Sequence, residues 1–382
     1  MTTMQGILGQ SKATAILQSA LASDRTHHAW IFHGNEGVGK FTTANAFARI
    51  LLCHDPQTDL AGQREACGGC ESCKRIDHPE AVHPDLHIVQ KELAAQSSVA
   101  TVRSRKLLSI PVDLLREYVI GGETSDGKFH DAAASKSPAL RHGKVFIIDE
   151  AHLLAPVGQN TLLKTLEEPP PNTYFILVTH QLDQLLITIR SRCQAVSFAS
   201  LPDEVINQWL ANNELNLTER ETQWFIHFCN GSLGLAEMTR KFELVQWARD
   251  LLPGVMELSR GKAAPMLGSD TAEKIDALAK TWVDSHKGAS KEAANKMAAH
   301  LMFHLLGQYA RSRMQHIAES APVNDPITNE QQLGPWLCLI DSLTISQKAL
   351  SSNVNLTLVM DHLFSHWQQA VNAQCYEPLQ WQ

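Results

Sequence analysis

The distribution of apolar residues divides the chain into two regimes. Over roughly the first 200 residues, short, mostly apolar runs alternate with segments of helical spacing; beyond that, only helical spacing remains. The first run is Trp30-Ile31-Phe32. Four more follow: Leu86-His87-Ile88-Val89, Val145-Phe146-Ile147-Ile148, Phe175-Ile176-Leu177-Val178 and Ala195-Val196-Ser197-Phe198. Runs this short and this apolar suit strands covered on both faces. Helical patterns separate them, at Ala13 to Leu21, Thr43 to Leu52, Ile110 to Glu117 and Gly158 to Glu168, the last stopped by Pro169-Pro170-Pro171. Such alternation predicts an α/β domain with a doubly wound parallel sheet over 1–200. One stretch, Gly121 to Gly143, is rich in Gly, Ser, Ala and Lys and reads as a flexible loop, longer than a compact domain usually tolerates.

From Pro202 the strand signals stop. Glu204 to Leu210, Glu219 to Cys229 and a start at Gly231 to Ala236 predict a small helical lid over 201–245. Residues 246–382 read as an all-α domain, with loops at Gly261 to Asp270 and Ser320 to Pro326. No internal repeat stands out.

Composition adds exclusions. At 382 residues, two or three domains are expected, and 44% apolar residues is ordinary for a globular protein. No segment approaches the roughly 18 uninterrupted apolar residues of a membrane span. Met1-Thr2-Thr3-Met4-Gln5 lacks the basic-then-apolar pattern of a secretory signal, so a cytoplasmic location and no membrane partner are expected. A net charge of −7 argues against a broad basic face that grips nucleic acid alone, while leaving room for local phosphate contacts within an assembly.

The first strand runs into Gly34-Asn35-Glu36-Gly37-Val38-Gly39-Lys40-Phe41-Thr42, and a helix follows. Strand, glycine-rich turn, lysine and helix make the phosphate-cradling loop. Gly34, Gly37 and Gly39 let backbone N–H groups curl around an anion, the helix N-terminus adds positive partial charge, and Lys40 reaches outer phosphates. Phe41 stands where a hydroxyl should bind Mg²⁺. Thr42 is next to it but is rotated about 100° around the helix, a poor substitute. Asp149 and Glu150, at the end of the third strand, are the acids that hold Mg²⁺ and polarise water in phosphate-loop enzymes. Thr179, at the polar tip of the fourth strand, joins these nucleotide-site candidates.

Four of the eight cysteines cluster: Cys53, Cys67, Cys70 and Cys73. Two successive C-x-x-C steps put three thiolates on one knuckle, and Cys53 closes the set from the end of a helix. Zn²⁺ in a closed structural site wants four such ligands, and a segment this poor in apolar residues needs the metal to fold. Cys193, Cys229, Cys338 and Cys375 are scattered and read as buried or inert thiols.

Taken together, these strings resemble the AAA+ clamp-loader subunits of bacterial replication. The matching pieces are Ile7-Leu8-Gly9-Gln10, His28-Ala29-Trp30, the phosphate loop, the four cysteines, Ile147 to His152, Asn160 to Pro170 and Ser191-Arg192-Cys193. They cover roughly the first 200 residues. The resemblance implies an AAA+ fold with helical lid and C-terminal collar, in a five-membered ring with gamma/tau-type motor subunits and a delta subunit. That ring loads a sliding clamp on primer-template DNA with ATP. It also implies that Arg192 is an arginine finger projecting into a neighbour's nucleotide site, while Arg190 matters less. Two departures bear on the chain's own site. Motor subunits carry a hydroxyl where Phe41 stands and a nucleotide-sensing arginine where Gly234 stands. The resemblance therefore implies the non-hydrolysing member, with ATP/Mg binding at a degenerate site. An ATP-hydrolysing gamma/tau-type motor and an unrelated zinc-containing phosphate-loop switch are the alternatives.

Overall fold

The computed structural model describes all residues except 1–2, 24–25, 61, 79–80, 104–108, 141, 214, 286–290, 321–325, 353 and 374–382. Helix α1 (Ser11–Ala22) precedes strand β1 (Ala29–Gly34), and α2 (Lys40–Leu52) follows the phosphate loop. The cysteine excursion holds a small hairpin, β2 (Gln57–Thr58) with β3 (Arg64–Glu65), and helix α3 (Glu71–Asp77). Next come β4 (Leu86–Val89), the short helices α4 (Ala100–Arg103) and α5 (Val112–Leu115), and a second hairpin of β5 (Gly122–Glu123) and β6 (Phe129–His130). Strand β7 (Lys144–Ile148), helix α6 (Pro156–Glu167), β8 (Thr173–Thr179), α7 (Ile187–Arg190) and β9 (Gln194–Phe198) complete the α/β part.

The five long strands are all parallel, in the order β4-β7-β8-β1-β9. Their side chains alternate between two cores, as a period of two demands. Trp30, Phe32, Val145, Ile147, Ile176 and Val178 pack on one face with α1 and α2. Ile31, Phe146, Ile148, Phe175 and Leu177 pack on the other, with Leu114, Leu115, Leu162 and Leu166. Burial on both faces is why the central strands β7, β8 and β1 carry apolar runs, whereas the edge strands β4 and β9, which hold His87 and Ser197, are only partly covered.

The stretch 121–143 departs from the flexible loop expected of its composition. Asp85, 1% exposed, accepts the backbone N–H groups of Ala139 (2.7 Å) and Leu140 (2.8 Å). Lys144, 3% exposed, donates to the carbonyls of Ala133 (2.6 Å) and Lys136 (2.7 Å). Two buried charges, each satisfied by loop backbone, fix a segment that has little apolar content of its own. The helix expected over Ile110 to Glu117 begins at Val112 as α5 and continues as a wider π-helical turn over Arg116–Ile120.

The later helices are α8 (Asp203–Asn212), α9 (Glu219–Cys229), α10 (Leu233–Lys241), α11 (Leu244–Ser259), α12 (Leu267–Ser285), α13 (Lys291–Ser320), α14 (Pro326–Ser351) and α15 (Leu356–Ala373). The chain forms two compact units. The first is Met1–Glu214 with Cys229–Leu235, and the second is Leu215–Phe228 with Ala236–Gln382. In the second unit α12 packs on α13 and α15, and α14 on α13 and α15. Trp336 and Trp367 meet in its core, and the Trp367 indole N–H donates to the Pro335 carbonyl at 2.6 Å. The loop expected at Gly261 to Asp270 ends earlier, because α12 starts at Leu267. Most of the loop expected from Ser320 to Pro326 falls on 321–325, outside the described residues. Among the described residues no helix is long and apolar enough to cross a membrane.

Candidate functional site

The chain leaves β1 at Gly34 with φ 138°, and a Cβ there would lie 2.1 Å from the Phe198 carbonyl oxygen. Only glycine permits that turn. The loop then curls past Gly37 to Gly39, the left-handed residue that caps α2. Lys40 opens the helix and is 7% exposed. Its ammonium donates to the Gly34 carbonyl at 2.8 Å and to the Asn35 carbonyl. Burial lowers its pKa, against the opposing pull of Glu36 and Asp149.

The loop borders an open cleft of about 560 Å³. Gly37, Gly39, Lys40, Thr42, Asp149, Glu150 and Thr179 all line it together with Phe41, so seven of the eight predicted nucleotide-site residues converge on one cavity; the eighth, Gly34, lies just behind, under the lysine. Phe41 also packs against the core. Thr42 is exposed and Thr43 turns its hydroxyl back to the Gly39 carbonyl, 2.8 Å away. The residue that follows the lysine, where a Mg²⁺-holding phosphate loop carries a hydroxyl, is thus an aromatic ring.

At the tip of β7, the Asp149 carboxylate accepts the Glu150 N–H (2.9 Å) and the Gln90 side-chain amide (3.2 Å). Burial raises its pKa, and those two hydrogen bonds oppose the rise. Glu150 adopts a left-handed backbone (φ 49°), and Lys91 donates to its carboxylate at 2.7 Å. Burial pulls Lys91 down, but the bond and charge of Glu150, with the charges of Glu92 and Glu36, together outweigh it and raise the amine's pKa. The Thr179 hydroxyl takes the Gln181 N–H at 3.0 Å and lies 3.3 Å from His152 Nδ1. Burial, then His180, push His152 down to about 4. Gln90, Lys91 and His180 are marked by nothing local in the sequence, and His152, though part of the string Ile147 to His152, carries no sign there of its contact with Thr179.

Residues 232–234 close over the loop. A Cβ on Gly37 would lie 2.1 Å from Ser232 Oγ, and the Gly234 N–H donates to the Gly37 carbonyl at 2.9 Å.

Arg192 sits apart from this cleft, on the turn between α7 and β9. Its guanidinium pairs with Glu167, at the end of α6, and donates to the Thr188 carbonyl at 3.0 Å. Its side chain is 35% exposed. Arg190 pairs with Asp183 at 3.6 Å. The α7 turn is held by Gln159, 2% exposed, which donates to the carbonyls of Leu154 (2.9 Å) and Gln184 (3.1 Å) and accepts the Leu186 N–H (2.8 Å).

The four clustered cysteines converge as well: their sulfurs all lie within 4.8 Å of one another. Cys53 and Cys70 sulfurs are 4.0 Å apart. A tetrahedral ion with bonds of about 2.3 Å needs sulfurs about 3.8 Å apart. Backbone N–H groups of Cys67, Cys70 and Cys73 point at the sulfurs of Cys53, Cys67 and Cys70 from 3.2, 3.3 and 3.4 Å. Such donors favour thiolates, and the Cys70 and Gly69 amides hold Cys67 at about 7. Burial pushes Cys53 and Cys73 upward. The donor set and spacing fit a metal ion. Among the scattered cysteines, burial pushes Cys193 up to about 12, Cys229 is buried and Cys338 is half-buried. Cys375 lies outside the described residues.

Comparison with known proteins matches this architecture to relatives. The chain is 29% identical over 237 residues to DNA polymerase III subunit delta' of Bacillus subtilis (strain 168), covering 62% of this chain and 61% of that protein. It is 28% identical over 333 residues to DNA polymerase III subunit tau of Escherichia coli (strain K12), covering 85% of this chain and 45% of that protein. It thus spans less than two thirds of either relative's length. A solved DNA polymerase III gamma subunit-related protein of Thermotoga maritima aligns with 94% of this chain and 99% of its own, at 12% identity and a TM-score of 0.37. The profile of the family described as DNA polymerase III, delta subunit, matches residues 9–202, just over half of the 382 residues, and the chain belongs to that family.

Proposed function

We propose that this chain is a delta-prime-like subunit of the replicative clamp loader. It assembles with gamma/tau-type motor subunits and a delta subunit in a five-membered ring. There it supplies Arg192 in trans to ATP-driven loading of the sliding clamp on primer-template DNA in the cytoplasm. Residues 1–200 form its AAA+ body, 201–245 its lid and 246–382 its collar.

The observation that carries this reading is the contrast between two charged sites. Arg192 stands half-exposed on a braced turn, outside the residues that line the chain's own cleft. That cleft lacks the Mg²⁺ hydroxyl at Phe41, has a glycine at 234, and has Lys40 engaged by loop carbonyls. A guanidinium supplied in trans stabilises charge on a transferring γ-phosphoryl and is worth on the order of 10³–10⁵ in rate. The chain's own site binds nucleotide weakly or not at all. When bound at Cys53, Cys67, Cys70 and Cys73, zinc supplies folding energy to the knuckle and no chemistry.

The test is reconstitution with motor and delta subunits. Arg192→Ala should leave this chain folded and the ring assembled, and lower ATP turnover at least tenfold; equal turnover would remove the finger assignment. The alternative, a gamma/tau-type motor, draws on the match to tau over 85% of the chain. It requires the isolated protein to turn over ATP and to lose that activity in Lys40→Ala.

A further inference from the structure

Both terminal nitrogens of the Arg192 guanidinium are engaged within its own chain. One terminal nitrogen pairs with the Glu167 carboxylate. The other donates to the Thr188 carbonyl at 3.0 Å and lies 3.4 Å from the Ser191 hydroxyl. Glu167 is not a drifting surface acid. It is the last residue of α6, and the carbonyl just before it, that of Leu166, is met by His28 Nε2 at 2.9 Å. Further up the same helix Gln159 fixes the entry to α7. One helix therefore carries both the brace of the arginine turn and the anion that holds the arginine.

A guanidinium recognises carboxylate and phosphate with the same forked edge. One edge cannot serve both at full strength, and a carboxylate left beside an arriving phosphate repels it. Resting on the reading of Arg192 as a trans-acting finger, we infer that Glu167 parks Arg192 against its own chain. A neighbouring subunit's γ-phosphate displaces Glu167 to engage it. Both partners are partly exposed, 35% for Arg192 and 47% for Glu167, so the pair is weak enough for a phosphate to win. Glu167 is thus a positioning residue that sets how readily the finger leaves its rest position.

Two measurements test this. In the isolated chain, the rate at which phenylglyoxal modifies Arg192, followed by mass spectrometry, should rise about two- to fivefold in Glu167→Gln, the scale of an exposed ion pair. Glu167→Asp, which keeps the charge, should stay near the parent. In the ring reconstituted with motor and delta subunits, Glu167→Gln should raise ATP turnover by a similar factor at low salt. The gain should fade toward about 0.5 M salt, where exposed charges are screened. It should vanish in an Arg192→Ala background. Unchanged modification of Arg192 would overturn the parking arrangement whatever the ring does. Equal or lower turnover in the Glu167→Gln ring, or a gain that survives loss of Arg192, would overturn its role in the ring. If Arg192 is unmasked in Glu167→Gln and yet Arg192→Ala leaves the ring's turnover intact, the finger reading fails while the ion pair stands.

Discussion

The backbone N–H of Gly234 donates to the carbonyl of Gly37 at 2.9 Å, tying the start of α10 to the phosphate loop. A Cβ on Gly234 would lie 2.8 Å from the Cα of Gly37, a backbone atom that cannot swing aside. Glycine at 234 is thus more than an absent side chain: the backbone of Gly37 occupies the room that a side chain there needs. Gly234→Ala should cost about 1–3 kcal/mol through overpacking. Alanine's helix preference, about 1 kcal/mol over glycine in a helix interior, recovers little at the second position of α10. A lowered denaturant midpoint with unchanged slope would agree; an unchanged midpoint would show that the loop yields freely.

Restoring one hydroxyl should not restart the site. Phe41→Thr puts a hydroxyl after the lysine, but Lys91 still holds Glu150 at 2.7 Å and Lys40 still donates to loop carbonyls. Turnover of the isolated chain should stay well below about one per second, at the low end of working enzymes. Because the ring packs partly into the core, the variant should also lose about 1–2 kcal/mol. ATP turnover beside a thermal unfolding curve reads both effects, and recovered hydrolysis would mean that Phe41 alone silences the cleft.

The features legible in the sequence are those whose physics is local. Strands buried on both faces must be apolar at every position, so Val145 to Ile148 and Phe175 to Val178 announce themselves. The phosphate loop and the four cysteines are legible because glycine geometry and ligand chemistry act over a few residues. What escaped was made by distant pairs. Asp85 and Lys144 order the stretch 121–143, although each looks like an ordinary surface charge in the sequence. Lys91 and Glu150 are 59 positions apart. Gln159 reads as a polar residue on a helix, yet it is buried and braces α7. Burial turns a common residue into a structural one, and burial of a polar side chain leaves no local mark.

Partial burial of His87 gives the fold a pH dependence whose sign can be stated. His87 stacks on Phe146 with ring centroids 4.6 Å apart; burial, then the Lys144 charge, push it down to about 4 from 6.5. The unfolded chain takes up this proton near pH 6.5, and the folded chain holds it off until about pH 4. Between those values the unfolded state binds more protons, so stability falls as pH falls, by at most about 1.4 kcal/mol per pH unit for this group. Asp149, whose pKa is raised by burial, works in the opposite sense at the acid end. His87→Phe should therefore flatten the decline in unfolding free energy between about pH 6.5 and pH 4. Parallel curves for variant and parent would refute a neutral His87 in the fold.

The knuckle does more than fold itself. Its β3 residue Glu65 accepts the backbone N–H groups of Met4 (3.3 Å) and Gln5 (2.8 Å), just before Gly6, Ile7 and Leu8, which line the cleft. Gln18 of α1 binds the Arg64 backbone at 2.8 and 2.9 Å. A metal at the four sulfurs would hold this clip closed, because the excursion buries little apolar surface of its own. Metal removal by a chelator, or Cys73→Ser, should raise amide exchange at least about tenfold over the knuckle and over Met4 to Leu8, since local opening follows the loss of a local constraint. The central strands β1, β7 and β8 should keep their protection, held by the two cores. Metal analysis should find one zinc per chain in the parent and none in the variant. Exchange that stays slow at Met4 to Leu8 after the metal is gone would show that Glu65 is positioned by the polypeptide alone.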